Sequence, residues 1–135
     1  MQTNEISKLM QESARDAVGY VAEQHKLQLD FSLASLQDID TVLTTLHQQQ
    51  QQQSHSAELL FTLSNIMGAY VGEVFINNYG GNWHSNTADN AAPYISVHLS
   101  DKEFPFASVC YHKIVQDNSI SVADYVEQAA AIVMQ

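Results

Sequence analysis

The chain has 135 residues, 45% of them hydrophobic, with 15 Asp and Glu against 5 Lys and Arg and a net charge of −10. That length fits one domain whose core needs neither disulfides nor a metal staple. A single cysteine, Cys110, excludes an internal disulfide and a multi-cysteine metal site, and the acidic balance argues against nucleic acid and anionic membrane as partners.

Residues 4–26 carry Ile6, Leu9, Met10, Ala17, Val21 and Ala22 at helical spacing, with charged residues between them. This predicts a first helix, with Asn4 as its N-cap. LQLDF (27–31) breaks it. Ser32 or Ser35 starts a second helix with the stripe Leu36, Ile39, Val42, Leu43 and Leu46, and Ser35 with Asp38 resembles a capping box. From Gln48 a glutamine run makes 48–55 a polar spacer, either prolonging the helix or connecting loosely. The third helix is expected from Ser56 to Tyr79. Its apolar residues cover nearly the whole circumference, which marks it as central and buried, and Gly80-Gly81 stops it.

Residues 82–86 read as a short strand and 87–93 as a loop. In 94–99, Tyr94, Ser96 and His98 alternate with Ile95, Val97 and Leu99, the pattern of a strand with one buried face. SDKE (100–103) is a turn. Over 105–116 the spacing of Phe106, Val109, Cys110 and Ile114 favours a helix, with Pro105 as its first residue, although SVCYHKIV is also rich in β-formers. Ser121 to Met134 is a last helix, with Ser121 and Asp124 placed like a capping box. The expected fold is one α+β domain over 1–135. N-terminal helices and a long buried central helix pack with a small antiparallel sheet and a C-terminal helix.

The candidate site lies in 66–83, IMGAYVGEVFINNYGGNW. Glu73 is a carboxylate in an apolar run. It either serves as a desolvated acid–base group or accepts hydrogen bonds from the amides after Gly80-Gly81 or from the Trp83 indole. Gly68 and Gly72, one turn apart, imply close approach of another backbone, since glycine weakens a helix interior by about 1 kcal/mol. Tyr70, Tyr79 and Trp83, with Tyr94, Phe104 and Phe106, are candidates for an aromatic pocket near Glu73. No catalytic constellation, phosphate loop or cofactor motif occurs, so no catalytic residue and no cofactor is assigned. Of the six histidines, His84 and His98 could meet across strands near Asp89 or Asp101, too few groups to assign a metal. Cys110 reads as a small buried hydrophobe.

LDFSLASLQDID (29–40), GAYVGEVFINNYGGNW (68–83) and FPFASV (104–109) together resemble a family of small bacterial domains of unknown function, the group numbered 3806. The resemblance spans about residues 27–128. It implies an α+β bacterial cytoplasmic protein and a helix over 105–116, and it carries no activity or site residues.

The N-terminus lacks a signal-peptide pattern, and no apolar stretch approaches the roughly 20 residues of a membrane span. A cytoplasmic protein is expected. The leading functional expectation is a non-enzymatic acidic interaction protein with a basic protein partner, an immunity or antidote protein being one form. The alternatives are a small-molecule binder or enzyme built around Glu73, and a homodimerising structural domain.

Overall fold

A computed structural model of the chain describes residues 3–86 and 94–134. Helix α1 (Thr3–His25) turns Ile6, Met10, Ala14, Ala17 and Val21 inward along one stripe. Leu9 and Ala22 lie about 100° off that stripe and are exposed, so they leave the predicted core face. The helix is already formed at Thr3, which places Asn4 inside it and not at its cap.

A short 3-10 turn (Leu33–Ser35) leads into α2 (Leu36–Gln52), which buries all five residues of its predicted stripe. The capping side chain is Ser32, which accepts from the Ser35 amide. Ser35 makes no side-chain cap, so the expected box with Asp38 does not form. Most of the glutamine run continues α2, and the side-chain Oε1 of Gln50 then accepts from the His55 amide at 2.8 Å. The spacer is thus helix followed by a tight corner.

Helix α3 (Ala57–Tyr79) is capped by Ser56, whose hydroxyl accepts from the Leu59 amide at 3.1 Å. Gly80 and Gly81 end it at φ of 95° and 107°, a region glycine enters without strain. The helix is central, with Met67, Tyr70, Val71, Val74 and Phe75 fully buried. With 23 residues and a mean hydropathy of 1.5, α3 is long and apolar enough to cross a membrane, which corrects the expectation that no stretch approaches a span. In the fold 61% of that apolar stretch is buried against protein.

Strands β1 (Asn82–Asn86), β2 (Tyr94–Leu99) and β3 (Lys102–Phe104) form one antiparallel sheet in that order. The predicted loop 87–93 lies outside the described residues. Ser100 and Asp101 have φ of 55° and 59°, the geometry of a two-residue hairpin turn, so the SDKE stretch is a turn that runs directly into β3. Ser96 is as fully buried as its neighbour Val97, so the expected single buried face does not hold at the middle of β2. Helix α1 packs on β1, and α3 and α4 (Phe106–Val115) pack on β2, covering more of the sheet than one solvated face would allow.

Pro105 is the N-cap of α4 and not its first residue. Helix α5 (Val122–Val133) starts at Ser121, whose hydroxyl accepts from the Asp124 amide at 3.1 Å. Val122, Val126, Ala129 and Ala130 face the core, while Ile132 stays 48% exposed. The layout is α+β, with five α-helices and a three-stranded antiparallel sheet among the described residues.

One polar lock escaped sequence reasoning. Asp40 of α2 accepts from the amides of Val122 (2.7 Å) and Ala123 (3.0 Å), so its carboxylate caps α5 from another helix. Lys113 of α4 is 4% exposed and donates to the carbonyls of Asn118 (2.9 Å) and Ile120 (2.5 Å), 4.0 Å from the Asp40 carboxylate. Three helices meet at this ion pair.

Candidate functional site

The two glycines of α3 serve two different contacts. A Cβ on Gly68 would lie 2.5 Å from both the Cα and the backbone nitrogen of Ala107, so α4 begins directly on the α3 backbone. A Cβ on Gly72 would lie 2.1 Å from the Trp83 ring, so the indole lies flush on the helix one turn later. The next residue, Glu73, accepts from the Trp83 Nε1–H at 3.0 Å. Glu73 is half-buried and its partner is the indole of β1. Together Gly72 and Glu73 dock the sheet on the central helix.

Tyr70 faces elsewhere. Its ring is fully buried, and its oxygen accepts from the Phe31 amide at 2.8 Å and meets the Ser35 Oγ at 2.7 Å. Ser35 spends its one hydroxyl proton on the Ser32 carbonyl at 2.6 Å, so the Tyr70 O–H donates to Ser35 and every group in the chain of bonds is satisfied. Burial pushes the phenol above its ordinary value, which keeps this proton in place at neutral pH. The network also holds Phe31 at φ 63°, a left-handed backbone stabilised by its bonded amide and by its ring 4.7 Å from that of Tyr70.

The remaining aromatics form a third group. Phe75 packs on Tyr79, Phe104 and Phe106 at centroid distances of 5.3 to 5.5 Å, and Phe106 meets Tyr125 edge-on. The side chain of Tyr94 lies outside the described residues; the rest of the predicted aromatic set is divided among three places: the 3-10 turn, the Gly72 surface, and the junction of α3 with α4.

His84 and His98 do meet across β1 and β2, with ring centroids 4.3 Å apart, and His98 Nε2 lies 3.4 Å from Glu103. Asp89 lies outside the described residues. Among the described residues no three or more His, Cys, Asp and Glu side chains gather as a metal site requires. Cys110 is fully buried, and burial, reinforced by Asp40, pushes its thiol up to about 12. A thiolate is therefore scarce at neutral pH. The native chain is expected not to react with Ellman's reagent, and to react stoichiometrically once unfolded in guanidinium. Rapid native reaction would contradict this burial.

The structure shows a feature that sequence reasoning missed: a hollow of about 570 Å3 between α1, α3, α4 and β2. Its rim carries Leu9, 41% exposed, and Phe61, 57% exposed. Phe61 stacks on Tyr111 at 5.5 Å and 12°. Leu9 belongs to the apolar pattern of the first helix and Phe61 to the apolar run of the third, so only their displacement from the buried faces marks them. Polar groups line the hollow too, among them Ser64, Asn65 and Ser108. Ser64 is 2% exposed and its hydroxyl has no hydrogen-bond partner among the described residues.

Comparison of the chain with family models, with curated proteins and with solved structures returns no match.

Proposed function

We propose that the chain is a non-enzymatic acidic interaction protein that captures a basic protein partner. The observation that carries this reading is the placement of the cations. No Lys or Arg stands between Lys26 and Lys102 or after Lys113, and Lys113 is buried and committed to Asp40 and two carbonyls. Helices α2, α3 and α5 thus bring no lysine or arginine to the surface. Asp117, Asp124 and Glu127 are exposed on α5 and the loop before it. Hydrogen bonds from Ser119 hold the Asp117 carboxyl below its ordinary value, so it is charged at neutral pH. Such a one-signed surface steers an oppositely charged protein and speeds its capture. A bacterial cytoplasmic setting, of the kind the resemblance over 27–128 implies, belongs to the same proposal, and an immunity or antidote protein is its most concrete form.

The test compares partners retained by the immobilised wild-type chain and by Asp124→Asn/Glu127→Lys, each identified by mass spectrometry. Both substitutions are on exposed side chains and leave the core intact. Expected are basic proteins retained by the wild type and depleted on the variant. Partners that are acidic, or that bind both chains equally, would contradict the reading.

A further inference from the structure

We infer that the hollow between α1, α3, α4 and β2 is a binding site for an uncharged, flat aromatic small molecule carrying one hydrogen-bonding group. This goes beyond the capture of a basic protein and uses a different face. Four observations point to it. The hollow, at about 570 Å3, falls in the range of about 300–1,000 Å3 that small-molecule sites occupy. Eleven residues line it, whereas a stable protein interface engages about 20–30 residues a side. In a chain with net charge −10, none of those lining residues is Asp, Glu, Lys or Arg, so a cation finds no carboxylate there and an anion finds at most the exposed rim histidine, His112. The Phe61 and Tyr111 rings form a stacked wall, and a flat ring pairs with such a wall better than a chain does.

The hydroxyl of Ser64 adds direction. Buried polar groups are normally bonded, and this one is left without a partner. Less than 1 Å2 of its oxygen is exposed, so a ligand N–H would satisfy it by displacing the side chains that now cover it. The Nδ1 of His112 is engaged elsewhere, 2.7 Å from the side-chain Oε1 of Gln116.

The test uses a matched pair of fluorescent probes: N-phenyl-1-naphthylamine, which is neutral, and 8-anilinonaphthalene-1-sulfonate, which adds one sulfonate. Expected is saturable one-to-one binding of the neutral probe at micromolar concentration, with the sulfonate at least tenfold weaker. Ser108→Trp fills the hollow from an exposed position on α4 and should weaken the neutral probe at least tenfold. Phe61→Ala removes the wall from an exposed position and should act in the same direction. Ser64→Ala should weaken it several-fold. Circular dichroism identifies any variant that fails to fold, and the other two then decide. The proposal is overturned by absence of saturable binding to the folded chain, by equal binding of both probes, or by unchanged affinity in folded Ser108→Trp. Sedimentation that shows a dimer lost in Ser108→Trp, without probe binding, would assign the hollow to a second copy of the chain and overturn it as well.

Discussion

Asp40→Ala is expected to destabilise the fold by about 3–5 kcal/mol, because it takes the counter-ion from a buried lysine and the cap from α5 at once. The reason lies in what the change leaves behind. The Lys113 side chain is 5% exposed and would be left beside carbonyls with no carboxylate near it. The amides of Val122 and Ala123 would lose their acceptor at the start of α5. For a chain of this size such a loss lowers the melting temperature by roughly 10–20 °C. Thermal unfolding followed by circular dichroism measures it. Adding Lys113→Met should recover part of the loss, because the stranded amine goes too, and the double-mutant cycle then reports the coupling. Additive effects of the two substitutions would mean that the pair does not act as a unit.

Gly68→Val is the second large effect. Its Cβ would stand 2.5 Å from the Ala107 backbone, which no rotamer change can relieve, so α4 must move off α3. Overpacking of this kind removes about 1–3 kcal/mol, and the rigid neighbour puts this site at about 3 kcal/mol. Gly19→Ala is the control. Gly19 sits on the exposed side of α1 with nothing within 4 Å of the added Cβ, so the substitution should stabilise the fold by about 0.5–1 kcal/mol. The two changes are expected to move the urea midpoint in opposite directions. Equal shifts would show that helix propensity, and not the α3–α4 contact, governs these positions.

These cases show which links the sequence makes legible. The bounds of α3 rest on local chemistry, a serine hydroxyl at Ser56 and left-handed glycines at Gly80-Gly81, and both signals lie within a few residues of what they control. The stripe of α2 is equally local. Gly68 and Gly72 announce that something approaches the helix, yet one meets the backbone of Ala107 and the other a tryptophan ring, and no spacing rule distinguishes these. Strand β3 has three residues with two of them exposed, too short for an alternation to show. The Asp40–Lys113 lock joins groups 73 residues apart in the chain (113 − 40), where periodicity carries no information. The hollow is harder still, because Leu9 and Phe61 have the composition of core residues and only the path of the neighbouring helices leaves them at the surface.

The acidic surface has the most consequence for function; its total and its long stretches without Lys or Arg are legible in the sequence, but the fate of Lys113 is not. Net charge says that a basic partner is attracted. Only the structure shows Lys113 withdrawn into the core, which leaves α5 without a cation beside Asp124 and Glu127.

The measurement that bears most directly on the proposed function is the affinity of the chain for its purified captured partner as salt is raised. Charge-steered capture predicts that the affinity falls at least tenfold between about 50 and 300 mM salt, and falls less steeply for Asp124→Asn/Glu127→Lys. An affinity independent of salt, or the same slope for both chains, would contradict capture through this surface.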